Sequence, residues 1–305
     1  MNIITLTTDW GISDNYLAIF KAHLLREDIS LQTIDITHQV PSNDIREAVF
    51  LIKTAYPYFP KNSIHIIDIN RLNSQNELKY LVALQKGAEA IEELAFLDYL
   101  AFQYDGHYFL CENNDIISLV CNRFDIQEVV KLPVDQRYAH FTSFKAIPYY
   151  VKAAASLAKN IPLTEIGEKY DLNRIETIPN THPIIWESKE EDIITFYAQH
   201  IDNYGNIITN LHKDLFEKVS KGRTRFAFHL SSLKRVEKQK IAHSYNDSSK
   251  SEILFLFGHS HYLEIWTKYM PFNKFLLENN AHRNMFNWKF TIYFKKEEIS
   301  TDLHP

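Results

Sequence analysis

Glycine is rare in this chain. Its 305 residues include seven, at positions 11, 87, 106, 167, 205, 222 and 258, and none lies near another. A phosphate-cradling loop, of either the G-x-x-x-x-G-K or the G-x-G-x-x-G kind, needs clustered glycines so that backbone N–H groups can approach the phosphates. Neither can be built here, so a nucleotide-like ligand has to be held by side chains. Cysteine is rarer still. With only Cys111 and Cys121, a disulfide framework and a four-cysteine zinc site are excluded, and a reducing cytoplasm is the expected home. Basic charge is not in excess: 33 Lys and Arg stand against 38 Asp and Glu, net −5, both signs mixed along the length. Binding to nucleic acid by phosphate neutralisation needs a concentrated cationic surface, so that partner is not expected. No stretch approaches the roughly twenty apolar residues of a membrane span. The opening MNIITLTTDWG has no basic region followed by an apolar one, so neither a membrane partner nor a secretory signal is expected.

What is present is ordinary globular material, 45% hydrophobic and 23% charged, in a length that suits about two domains. Residues 2–8 read as a strand that stops at Asp9-Trp10-Gly11. Tyr16, Ile19, Phe20, His23 and Leu24 recur at helical spacing and predict a helix over 15–26. A second strand is expected at 31–36. Ser42 or Asn43 then caps a helix carrying Ile45, Val49, Ile52 and Tyr56, and a third strand follows at 63–69. This rhythm means parallel strands with crossover helices, hence an N-terminal layered α/β domain with a mostly parallel sheet over 1–170. Within it, 89–103 reads as a helix, although Phe96 to Phe102 is apolar enough to be ambiguous; 107–111 reads as a strand and 148–158 as a helix. Residues 171–192, with Pro179, Pro183 and an acidic run, read as a linker. Short strands at 193–201, 225–230, 253–257, 262–268 and 290–294, with one helix near 212–219, predict a C-terminal all-β, barrel-like domain over 193–305.

Four polar clusters carry the chemistry. Thr7 to Tyr16 lies where the first strand meets the first helix, the end of an α/β sheet at which ligands bind. A carboxylate there suits a ribose diol, and it equally suits a helix cap. Asp35, His38 and Asp44 form either an acid–base group or a turn held by a histidine. Asp202-Asn203-Tyr204-Gly205-Asn206 offers an amide for a base edge and an aromatic for its face. The same residues also make a tight hairpin. His259 and His261 point one way on a strand and Glu264 the other, so no three-ligand metal set is formed and no metal is expected.

Taken in order, ITLTTDWGISDNYLAIFK (4–21), DITHQVPSNDIREAVFLI (35–52), YPYFPKNSIHIID (56–68), ASLAKNIPLTEIGE (155–168), IDNYGNIITNL (201–211) and YLEI (262–265) resemble the S-adenosylmethionine hydroxide adenosyltransferases. Those enzymes hydrolyse S-adenosylmethionine to adenosine and methionine and are related to fluorinating and chlorinating enzymes. The resemblance runs through nearly the whole chain. It implies an α/β domain followed by a β-barrel-like domain, no cofactor beyond S-adenosylmethionine as substrate or ligand, and a homotrimer whose subunits share the ligand site. By the same resemblance Asp9 holds the ribose hydroxyls, Asp14 and Tyr16 lie on the methionine side, Tyr204 stacks on adenine, and Asn206 bonds its edge with Asp202 nearby.

The hydrolytic members activate their nucleophile with an Asp, an Arg and a His. In this sequence the D-P-G-V-G-T-x-R-R loop is replaced by residues 70–78, with Asn70 aligned to the Asp and Glu77 to the Arg. The F-H-G-R-D segment becomes Phe144 to Pro148, with Lys145 at the His. The P-D-N-G turn becomes Glu112 to Asp115, preceded by an insertion that covers 89–103. An Asn side chain is no base, and a Lys ammonium is a cation at neutral pH. The expectation is therefore a family member whose catalytic side chains have been exchanged.

Overall fold

The computed structural model describes residues 3–69, 74–87, 98–121, 123–141, 143–177, 182–230, 235–247, 253–267, 271–272, 274 and 288–296. The chain divides into two units, Met1–Pro179 and Asn180–Pro305.

The first unit runs β1 (Ile3–Thr8), α1 (Tyr16–Glu27), β2 (Gln32–Thr37), α2 (Ile45–Ala55), β3 (Ile64–Asp68), α3 (Ser74–Lys86), β4 (Tyr99–Tyr104), β5 (His107–Glu112), α4 (Ile116–Val120), β6 (Glu128–Lys131), α5 (Ala146–Ala158), α6 (Leu163–Ile166) and β7 (Glu168–Lys169). The strands form one sheet in the order β2-β1-β3-β5-β4-β6-β7. The first four are mutually parallel, and β4, β6 and β7 extend them antiparallel. Successive side chains on a strand face opposite ways, and the two sides bury different cores. Ile4, Leu6, Ile64, Ile66 and Leu110 pack with Phe20 and Leu24 of α1 and Tyr150 and Val151 of α5. Ile67, Phe109 and Cys111 pack with Val49 and Ile52 of α2 and Ile116 and Val120 of α4. Helices therefore cover both faces, and the ends of the central strands are the places left for a ligand.

Several elements differ from expectation. Residues 99–103 belong to β4, not to a helix, and 89–97 lie outside the described residues. The Tyr-Leu-Ala-Phe-Gln-Tyr segment pairs on both sides, with β5 and with β6, and this pairing decides its conformation. Of the stretch read as a substituted loop, 74–78 begin helix α3, with Glu77 within it, and 70–73 lie outside the described residues. Helix α2 is capped by Asp44, whose side chain accepts from the Glu47 N–H at 3.0 Å, rather than by Ser42 or Asn43.

The second unit contains β8 (Ile184–Glu187), β9 (Glu191–Ile201), β10 (Ile207–His212), α7 (Lys213–Ser220), β11 (Phe226–Leu230), β12 (Val236–Gln239), β13 (Ile253–Phe257), β14 (Tyr262–Thr267) and β15 (Lys289–Lys295). Its sheet is antiparallel, ordered β12-β11-β15-β9-β10-β14-β13, with β8 also on β9. Part of the stretch expected as linker is thus a paired strand. The two outer strands approach each other: Ile241, just past β12, bridges Phe255 of β13, and the Ala242 N–H donates to the Phe255 carbonyl at 2.7 Å. The sheet therefore curls round a core of Phe196, Phe228, Phe255, Phe290 and Phe294, the barrel-like form expected.

A buried charge anchors this unit. Asp192 is fully covered and meets Arg223 at 2.5 Å, Lys296 at 3.0 Å and Lys221 at 3.3 Å. Burial works to raise its pKa, but hydrogen bonds from these three cations outweigh it and hold the carboxyl at about 2. Removing one member of a buried ion cluster strands the others, so Asp192→Ala should cost about 3 kcal/mol of stability in urea unfolding at pH 7. Because the folded-state pKa is depressed, this stabilisation is present above the ordinary carboxylate pKa and is lost as pH falls toward 2.

Candidate active site

Asp9 directly follows β1, Asp68 ends β3 and Glu112 ends β5. These strands are parallel neighbours, with Thr8 opposite Asp68 and Ile67 opposite Cys111. The three carboxyls therefore leave the sheet at one edge, where they line a cavity of about 340 Å³. Such a volume is at the small end of the range for ligand pockets. Trp10, Tyr16 and Phe144 supply an aromatic wall. Phe144 meets Trp10 edge-on with ring centroids 4.9 Å apart and Tyr16 at 5.1 Å. The Trp10 indole N–H donates to Asp68 Oδ2 at 2.7 Å, so one side chain fixes both the aromatic wall and a carboxyl.

The loop after β1 is held from beneath. Gly11 has φ +72°, and its N–H donates to the His38 carbonyl at 2.7 Å. His38 is buried, with Nδ1 2.8 Å from Thr8 Oγ1 and Nε2 3.3 Å from Asp35, which also pairs with Lys21 at 2.6 Å. Of the two readings of that cluster the structural one stands: His38 ties a turn to β1, and Asp44 caps α2.

Electrostatics set the pocket apart. Burial, chiefly, and the neighbouring Asp9 charge push the Asp68 carboxyl well above the ordinary carboxylate range, against the opposing Trp10 hydrogen bond. Burial and then Asp68 and Asp9 raise Glu112, although Tyr99 and Asn114 hydrogen-bond to it. The Asn114 amide donates to Glu112 Oε2 at 3.3 Å and to the Ile69 carbonyl at 3.0 Å. It thereby links the ends of β3 and β5. Two carboxyls so placed do not both ionise easily near neutral pH.

Among the residues singled out from sequence, Asp9, Tyr16 and Lys145 come together in this cavity, Lys145 from just before α5. Asp14 is exposed and does not line it. Asn70 lies outside the described residues. The remaining three form the β9–β10 turn in the second unit. Asp202 Oδ1 accepts from the N–H groups of Tyr204 and Asn206, each at 2.9 Å, and its Oδ2 accepts from Asn206 Nδ2 at 2.7 Å. Gly205, at φ +81°, completes the turn. Tyr204 is 80% exposed, a ring with an open face, whereas Asn206 is buried and its Oδ1 has no partner among the described residues. The residues thus make the hairpin and also leave an aromatic face and an amide oxygen unspent. Glu264, buried on β14, accepts from the Tyr245 hydroxyl at 2.8 Å, and burial chiefly raises its pKa, with Asp202 adding to the shift. A Cβ at Gly258 would fall 1.7 Å from Glu264 Oε1, so a side chain there would displace the Glu264 carboxyl. His259 and His261 sit in the turn before β14 rather than on a strand, with His261 at φ +60°.

The sequence profile of the SAM hydroxide adenosyltransferase N-terminal domain matches residues 4–90, and that of the C-terminal domain matches residues 197–271. The chain belongs to this family. A relative described as (R)-S-adenosyl-L-methionine hydrolase from Methanocaldococcus jannaschii is 26% identical over 276 residues, covering 88% of this chain and 89% of the relative. Another of that description, from Salinispora arenicola, is 33% identical over 206 residues, 67% and 70% of the two chains. An uncharacterized conserved protein from Thermotoga maritima shares the fold with a TM-score of 0.71 at 20% identity, over 95% of this chain and 99% of that one.

In this family member, sequence reasoning passed over Asp68 and Tyr99, gave Trp10 no role of its own within the first polar cluster, and treated Glu112 only as part of an altered turn. Asp68 was legible in principle, since polar residues at the carboxyl ends of parallel strands face the ligand crevice. Tyr99 was hidden by the helical reading of its strand. A larger cleft of about 970 Å³ lies in the second unit, lined by Arg223, Arg225, Lys295 and Lys296. Size does not favour it, because Arg223 and Lys296 are already engaged by Asp192. No group of three His, Cys, Asp or Glu among the described residues is arranged to hold a metal ion.

Since the folded-state pKa values of Asp68 and Glu112 are raised, their protonated forms favour the fold and this contribution is lost as pH rises through neutrality. Ligand-free protein should lose stability from about pH 5 upward through about pH 8. Glu112→Gln should flatten that slope and be more stable than the parent at about pH 8 by about 1 kcal/mol, the scale of one pKa unit. Urea unfolding across that range measures both.

Proposed function

We propose that this chain cleaves S-adenosylmethionine with water, giving adenosine and methionine. The observation that carries the reading is the convergence of Asp9, Asp68 and Glu112 with Trp10 and Tyr16 in one cavity at the ends of β1, β3 and β5. S-adenosylmethionine is a sulfonium cation bearing a ribose diol. A carboxyl-lined cavity with an aromatic wall attracts the cation and offers acceptors to the diol. Family membership supports the same substrate.

In this reading Asp9 accepts from the ribose hydroxyls and Tyr16 flanks the methionine arm. Tyr204 stacks on adenine, and Asn206 accepts from the adenine amino group through its unspent Oδ1. The sulfonium is an excellent leaving group, so the protein's task is to orient the 5′ carbon and to supply a nucleophile at close range. Lys145 stands where the hydrolytic relatives are expected to have His, which favours a second reading: a family member that binds S-adenosylmethionine or adenosine without turning it over. Incubation with S-adenosylmethionine separates the two. Adenosine release that Asp9→Ala abolishes supports cleavage, binding heat without product supports the second reading, and neither heat nor product removes both.

Two further outcomes are expected. Asn206→Ala should weaken adenosine binding by about 1–3 kcal/mol in calorimetry, the scale for stranding a buried polar partner. We also propose a homotrimer, as the resemblance implies. Sedimentation should give about three times the 35.9 kDa chain mass, and a monomer throughout would remove this assembly.

A further inference from the structure

We propose that Glu112 and Asp68 work as one carboxyl pair that accepts the proton of the attacking water; this rests on the reading of the cavity as the site of S-adenosylmethionine cleavage. The pair is built into the sheet. Glu112 and Asp68 close adjacent parallel strands, β5 and β3, and both face the cavity. Trp10 holds Asp68 at 2.7 Å, and Asn114 holds Glu112 at 3.3 Å with Tyr99 as a further hydrogen-bond partner. Donors from the chain thus orient both carboxyls.

A second observation concerns a hydroxyl on the neighbouring helix α5. Tyr150 on α5 is completely buried, and its hydroxyl has no hydrogen-bond partner among the described residues. Its environment includes the charges of Asp68 and Glu112, which add to burial in disfavouring its ionised form. A buried hydroxyl without a protein partner calls for one from outside the chain. A water between the tyrosine and the carboxyls would satisfy it.

The charge of the cavity selects the nucleophile. Among the described lining residues, Asp9 and the Asp68–Glu112 pair face a single cationic side chain, Lys145. An anion such as a halide is repelled there, whereas neutral water is not, and water needs a base as it attacks. Two close carboxyls supply that base: one retains a proton and the other accepts. The water oxygen bonds to the ribose 5′ carbon as the carbon–sulfur bond breaks. The bonding pair stays on sulfur, which becomes the neutral thioether of methionine. The water proton passes to the carboxyl pair and then to solvent, so each turnover yields adenosine, methionine and one proton.

The test measures adenosine release by the full chain at saturating S-adenosylmethionine from about pH 5 to pH 9, with affinity by calorimetry and folding by thermal melts. For Glu112→Gln, kcat should fall by about 100-fold or more, the scale of a general base, with affinity within about threefold of the parent. Glu112→Asp should restore much of the loss. The parent's kcat should rise with pH through neutrality, and Glu112→Gln should lose that limb. Added fluoride or chloride should give no halogenated nucleoside. An active parent with an unaltered Glu112→Gln overturns the pair and leaves the cleavage reading intact, whereas a halogenated product overturns the pair and water as the sole nucleophile. A parent that binds S-adenosylmethionine and releases nothing overturns the cleavage reading and the pair with it. Should Glu112→Gln fail to fold, the parent's profile decides, and a flat one from about pH 5 to pH 9 excludes a titrating carboxyl base.

Discussion

Because β1, β3 and β5 run the same way side by side, Asp9, Asp68 and Glu112 leave the sheet at one edge. Antiparallel pairing would send alternate strand ends to opposite edges and scatter them. Everything else about the pocket follows from this geometry. Burial first, and then the nearness of the charges, raises the proton affinities of Asp68 and Glu112, and the surrounding residues are occupied in holding these carboxyls apart from solvent and in register. Trp10, Asn114 and the His38-anchored loop are each explained as parts of that support.

The architecture was largely readable from residue patterning. Helical spacing in α1 and α2 and the apolar run of β3 are strong local signals, and the structure follows them closely. What escaped was decided by partners far away in sequence. The aromatic segment 99–104 looks helical in isolation and becomes a strand because β5 and β6 bond to it on either side. The same holds for the site. Asp9 and Tyr16 lie in a polar cluster that attracts notice, whereas Asp68 and Glu112 each stand alone at the end of an apolar strand. Their meaning appears only when the sheet order sets them beside each other.

The turn after β5 ties several parts of the first unit together. Asn113 and Asn114 occupy it. Asn113 donates to the Tyr170 hydroxyl at 3.2 Å and to the Arg174 carbonyl at 2.9 Å, and accepts from the Glu176 N–H at 3.0 Å. The turn is thus a hub that clamps the segment leading out of the unit. Rigidity at that point serves the carboxyl next to it, since Glu112 is held by the same turn.

The second unit carries a consequence for how the molecule is made. Its sheet places β15, residues Lys289–Lys295, between β9 and β11 rather than at an edge. A ribosome must therefore deliver the chain through β15 before the middle of that sheet can be zipped, and loop closure across roughly a hundred residues makes such pairing slow. Until then β9 and β11 keep open, aromatic-rich edges, and clipping a few residues from β15 would cost the unit its centre rather than its fringe.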